Sequence, residues 1–162
     1  MKQEVASFLD YVAHSPTVFQ ATQQACDMLD AAGFTRLSEH EAWEILPGGR
    51  YYVTRNRSAL VAFAVPENGF TPCQIVASHG DSPTFKLKAH AEGEAAGAYI
   101  RLDVEPYGGM IMSTWFDRPL SIAGRALVRE DGRLVTRLID LDRDAALIPN
   151  MPIHFNRDIN SG

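Results

Sequence analysis

Cysteine is scarce in this 162-residue chain, and the two present, Cys26 and Cys73, stand far apart. With no C-x-x-C pair there is neither zinc-knuckle spacing nor a dithiol redox motif, so both are expected to be buried free thiols. Long apolar runs are missing too. Nothing approaches the ~20 residues of a membrane span, and the opening Met-Lys-Gln-Glu-Val lacks the apolar core of a secretory signal. Positive charge is also in short supply: 15 Lys and Arg stand against 20 Asp and Glu, a net charge of -5, with no basic stripe to hold nucleic acid or anionic lipid. The expected partners therefore include neither nucleic acid nor membrane, and the expected compartment is the cytoplasm.

What the chain does have is 46% hydrophobic residues over the length of one domain, enough to bury a core. Val5, Phe8, Leu9 and Val12 recur at helical spacing and predict a short amphipathic helix ending at His14 and Ser15. A second helix is expected at once, capped by Ser15 with Pro16 in its first position. Its apolar face is Val18, Ala21, Ala25, Met28, Leu29 and Ala32, and Gly33 stops it. Ser38-Glu-His-Glu41 fits a capping box opening a brief helical turn through Trp43. Residues 50–54 and 59–65 read as a β-hairpin joined by Arg55-Asn-Arg-Ser58. Beyond Pro83 the chain reads as a second, β-rich module. Ile100, Leu102 and Val104 alternate with Arg101 and Asp103, Pro106-Tyr-Gly-Gly109 turns, and Glu130-Asp-Gly132 joins strands 120–129 and 133–140 in the clearest hairpin signal.

Residues 74–83, Gln-Ile-Val-Ala-Ser-His-Gly-Asp-Ser-Pro, are the stretch around which the rest is arranged. Ile75, Val76 and Ala77 are too short a run for a helix, and Thr71-Pro72 before and Gly80, Ser82 and Pro83 after punctuate it, so a buried strand is expected. With two helices and two strands ahead of it, that strand would deliver His79 to the carboxyl end of an α/β sheet, where ligands bind. A ligating imidazole needs its second ring nitrogen fixed by an acceptor, and Asp81, two residues on, is placed to supply it. The same His-x-Asp spacing is more often an ordinary loop pair, so spacing alone does not single out a metal site.

Four segments carry a resemblance: Ala77-Ser-His-Gly-Asp-Ser-Pro83, Val104-Glu-Pro-Tyr-Gly-Gly109, Ser113-Thr-Trp-Phe-Asp-Arg-Pro-Leu-Ser-Ile-Ala-Gly-Arg125 and Ile148-Pro-Asn-Met-Pro-Ile-His154. In order and spacing the chain resembles the amino-terminal portion of the M18 metallo-aminopeptidases, the aspartyl aminopeptidase family, from Ser15-Pro16-Thr17 to Asn160. The family usually has Thr where Gly80 stands, and Asn150 replaces a histidine often found in relatives.

The resemblance implies an α/β fold: residues 1–85 as the N-terminal part of a zinc-peptidase α/β sandwich, and 86–162 as the start of an inserted, mostly β dimerisation domain. Members run to well over twice this length, so a truncated fragment, inactive alone, is expected. It implies a dinuclear zinc aminopeptidase, with cobalt or manganese as alternatives, that removes N-terminal, preferentially acidic residues from peptides as a dimer-based, dodecameric homo-oligomer. Two metal ions about 3.5–4 Å apart lower the pKa of a bridging water and polarise the scissile carbonyl. By the same resemblance His79 is a metal ligand, Asp81 the residue that orients it, and His154 a catalytic residue reaching a neighbouring subunit's site. The bridging aspartate and general-base glutamate would lie outside this chain.

Other candidates have plainer readings. His14 reads as a surface or capping residue, His40 as merely lying inside the turn at 38–43, and His90 as solvated. Asp140, Asp142 and Asp144 have a calcium-loop rhythm, but Ala145 and Met151 stand where Gly and Glu are required. Asp117-Arg118 after two aromatics reads as a packing device. A serine hydrolase using Ser82 lacks the Gly-x-Ser-x-Gly elbow. The competing functional class is a non-catalytic oligomerisation or scaffold module, favoured by the stop at Gly162.

Overall fold

Val5, Phe8, Leu9 and Val12 share one face of helix α1 (Gln3–Ala13), all four exposed, in a computed structural model that describes residues 2–69, 73–155 and 157–158. Helix α2 (Val18–Ala31) begins later than expected. Its cap is Thr17, directly before the first helical residue, whose Oγ1 accepts the Phe19 N–H at 3.2 Å, while the buried Ser15 hydroxyl makes no hydrogen bond among the described residues. At the other end Gly33 (φ +76°) lets the chain reverse, with Phe34 N–H donating to Leu29 O and Gly33 N–H to Asp30 O, the paired bonds of a glycine C-cap.

The strands among the described residues are β1 (Thr35–Leu37), β2 (Arg50–Arg55), β3 (Ala59–Ala64), β4 (Thr84–Ala95), β5 (Tyr99–Tyr107), β6 (Pro119–Leu120), β7 (Ala123–Glu130), β8 (Arg133–Asp140) and β9 (Ala146–Leu147). The chain divides into two compact units, Met1–Asp81 with Ala123–Asp140, and Ser82–Ile122 with Leu141–Gly162. The mixed α/β character expected from the sequence is present, with few helices and several small sheets.

In the first unit β1 runs parallel and β3 antiparallel to the central β2. The three residues 56–58 turn β2 into β3, with Asn56 and Arg57 at positive φ and Ser58 N–H donating to Arg55 O at 3.1 Å. The unit's buried apolar residues are Tyr51 and Tyr52 of β2 and Ala21 and Cys26 of α2. Tyr51 stacks on Phe63 of β3, while Tyr52, completely buried, turns to α2 and donates its hydroxyl to Asp30 Oδ1 at 2.7 Å. The β7–β8 hairpin turns at Asp131-Gly132 as expected and docks on α2. Gln20, itself buried, donates from Nε2 to Ile139 O at 2.9 Å and Gly124 O at 3.4 Å. Arg125 lies over the Phe19 ring at 4.2 Å and donates to Asn56 O at 2.7 Å.

The capping-box helix at residues 38–43 does not form. Ser38 O, which a helix would offer to the N–H of residue 42, instead accepts Trp43 Nε1–H at 2.7 Å and Glu41 N–H at 3.3 Å. Glu39 is committed to Arg55.

In the second unit β4 and β5 form a long antiparallel ribbon whose register shifts between Leu87 and Glu92. Phe85 meets Trp115 edge-on, ring centroids 5.5 Å apart, and Trp115 closes a 3₁₀ turn, Met112–Trp115. β6 pairs with β9, and the chain beyond β9 leads to His154.

Candidate active site

The segment expected to be a buried strand is not one. Residues 73–83 join no ladder among the described residues, and Ile75 and Val76 are 83% and 98% exposed. The physical reason is partnership: a β-prone run becomes a strand only when a neighbour supplies its N–H and C=O groups, and none of the described strands lies alongside. Thr71 and Pro72, read as the break before it, lie outside the described residues. Cys73, expected to be buried, is exposed for the same reason, whereas Cys26 is buried, and burial pushes its thiol pKa up.

At the end of that segment His79 and Asp81 stand together. His79 Nδ1 lies 2.8 Å from Asp81 O and 3.2 Å from Asp81 Oδ1. Both neighbours are acceptors, so Nδ1 must carry the proton, and in the neutral ring Nε2 keeps its lone pair. The imidazole side chain is 82% exposed. Gly80 between them passes the start of α2, where a Cβ would meet only Val18 Cγ2, at 4.0 Å. The arrangement is chemically that of a histidine with one nitrogen fixed and the other offered outward, which suits a borderline cation such as zinc.

His154 sits on a separate device in the second unit. A turn closed by Phe155 N–H donating to Pro152 O at 2.9 Å carries it, exposed, at its third position. Upstream, Asp117 N–H donates to Ile148 O at 3.0 Å, and Asp117 Oδ1 accepts the Asn150 N–H at 2.9 Å. Asp117, expected from the sequence as a packing device, is instead this anchor; a contact spanning 33 residues leaves no local signal.

Among the described residues no three His, Cys, Asp or Glu side chains converge as a metal-binding group. Two concavities, one beside Cys26 and Arg36 and one at residues 87–92, are lined by neither His79, Asp81 nor His154. His14 closes α1, with Nδ1 2.9 Å from Asp10 O, and His40 and His90 are exposed. No helix of the described residues is long and apolar enough to cross a membrane.

Residues 11–162 match the family model described as Aminopeptidase I zinc metalloprotease (M18). The chain is 42% identical over 156 residues to a probable M18 family aminopeptidase 2 of Pseudomonas putida, covering 95% of this chain and 36% of that protein. To the protein of the same description in Clostridium acetobutylicum it is 42% identical over 172 residues, covering 100% of this chain and 39% of the relative. The chain thus spans well under half the length of these curated relatives. Among solved structures it is similar to a chain of the Ape4 and Nbr1 complex, with a TM-score of 0.88 and 42% identity over 96% of this chain and 30% of that one. It is also similar to a chain of the S. cerevisiae mApe1 dodecamer, with a TM-score of 0.80 and 30% identity over 92% of this chain and 36% of that one.

Proposed function

Because the chain belongs to the M18 family of zinc metalloproteases, we propose that the whole protein is a dinuclear zinc aminopeptidase removing N-terminal, preferentially acidic residues from peptides in the cytoplasm. The observation that carries the reading is the His79–Asp81 pair: a ring held through Nδ1, with Nε2 turned to solvent at the end of a segment inside the family match. His79 would hold one zinc ion, cobalt and manganese being acceptable to the same donors. Zinc, when bound, supplies Lewis acidity towards a carbonyl and a lowered pKa for its water. Asp81 keeps the imidazole in the ligating tautomer and orientation. His154 donates to the carbonyl oxygen of a substrate held by a neighbouring copy, a contact of the kind whose loss costs about 10²–10³ in kcat.

The reading assigns residues 1–85 to the catalytic α/β domain and 86–162, whose 123–140 hairpin folds back on α2, to the inserted β-rich module that brings copies together, first as dimers and then as a dodecamer. The mApe1 dodecamer supports that assembly. The remaining ligands and the general base fall to the greater part of the family's length, which this chain does not span, so the chain alone would be inactive. A second reading, a non-catalytic assembly module, is favoured by the lack of a ligand cluster among the described residues.

In the full-length protein His79→Ala abolishes metal-dependent hydrolysis of an acidic aminoacyl substrate and lowers the metal content. Asp81→Ala weakens either by about 10–100-fold. Near-normal hydrolysis and metal content in His79→Ala would remove His79 from the site.

A further inference from the structure

We propose that Asp117 is a positioning residue for His154, acting through the backbone of the intervening loop; the inference rests on the reading of His154 above. Asp117 grips the chain twice, donating its N–H to Ile148 O and accepting the Asn150 N–H on Oδ1. Its own backbone is set for the task at φ +54°, a left-handed conformation that Asp tolerates better than most side chains. Directly after it, β6 pairs with β9, so the two arms of the anchor are held in register by Pro119↔Leu147 and Leu120↔Ala146.

Between the anchor and the histidine the chain has little freedom. Pro149 and Pro152 have fixed φ, and the residues before them, Ile148 and Met151, are confined to extended conformations. Asn150 Oδ1 accepts the Met151 N–H at 2.9 Å, and the Pro152–Phe155 bond closes the turn that presents His154. An orientation set at Asn150 is therefore passed on to the imidazole with few soft torsions in between. Asp117 itself holds only the peptide groups of Ile148 and Asn150.

The test uses full-length protein with Asp117→Gly, Asp117→Asn, His154→Ala and the double variant Asp117→Gly/His154→Ala. Gly and Asn both accept the left-handed backbone, so the variants change the carboxylate and spare the turn. Expected for Asp117→Gly are a kcat lowered about 10–100-fold with KM little changed, as for a misplaced catalytic group, and faster amide hydrogen exchange in residues 148–155. Asp117→Asn, which keeps an acceptor oxygen, restores both. The double variant is no slower than His154→Ala.

Unaltered exchange in Asp117→Gly would dismiss the anchor while leaving His154 in place. A kcat loss that multiplies with that of His154→Ala would show Asp117 acting by another route. An unaffected kcat in His154→Ala would overturn the reading of that histidine, and this inference with it.

Discussion

Tyr52 shows how one side chain couples the core to pH. Its phenol is wholly buried on β2 and donates to Asp30 on α2. Burial first, and then that hydrogen bond to a carboxylate, push its pKa up to about 12 from an ordinary 10.0. A folded pKa above the unfolded one means a contribution fully present below pH 10 and lost as pH rises through 12. Chemical unfolding of the wild type should show stability falling between those values more steeply than in Tyr52→Phe, which also loses about 1 kcal/mol at neutral pH. Equal slopes would mean that the phenol ionises alike in both states. Gly80 offers a second case. It is outside the left-handed region and a Cβ there has only Val18 at 4.0 Å, so the glycine is not required by geometry. Gly80→Ala should raise stability by about 0.4–1 kcal/mol through the unfolded chain, with hydrolysis by the full-length protein unchanged. A lower unfolding midpoint would show that the loop needs glycine after all.

Between elements, the β7–β8 hairpin is tied to α2 by a buried amide and a stacked guanidinium. Gln20 Nε2 faces two carbonyl acceptors, Ile139 O and Gly124 O, while its Oε1 accepts from the Thr17 hydroxyl. The amide is the one side chain of this shape that satisfies both sides. Gln20→Ala removes a part-buried donor from both carbonyls, at a cost of about 0.5–1.5 kcal/mol. Gln20→Glu sets a carboxylate oxygen against those carbonyls, so it should be the less stable of the two at neutral pH and recover in acid as the carboxyl gains a proton. Thermal unfolding at the two pH values checks this, and a Glu variant as stable as wild type at neutral pH would contradict the donor role. Arg125 adds a contact over Phe19 worth about 0.5–1 kcal/mol at such a site.

For the molecule as a whole, unpartnered surface is the dominant fact. Ile75 and Val76 are almost wholly exposed, the apolar stripe of α1 is exposed, and among the described residues His79 has one carboxylate beside it where a tight zinc site takes three or four protein ligands. The 162-residue chain by itself should therefore retain less than one zinc per chain after dialysis and should not hydrolyse aminoacyl substrates. Stoichiometric zinc on the isolated chain would require ligands that the described residues do not gather.

Contacts close along the chain could be read from the sequence alone. The hairpins at 50–64 and 123–140 follow from alternation and turn residues, the glycine stop of α2 from Gly33, and the His79–Asp81 pair from a separation of two residues. Matches of order and spacing also carried the family. Distant neighbours decided the rest. Whether residues 74–78 form a strand depends on another strand's hydrogen-bonding groups, and whether Cys73 is covered depends on that strand too. Ser15 lost the helix cap to Thr17 because the helix begins at Val18, and residues 38–43 lost their helix to an indole on the Ser38 carbonyl. The hold of Asp117 on Asn150 spans 33 residues, and that of Gln20 on Ile139 spans 119. No periodicity or local propensity encodes such pairings; they exist only once folding has brought donor and acceptor within hydrogen-bonding distance.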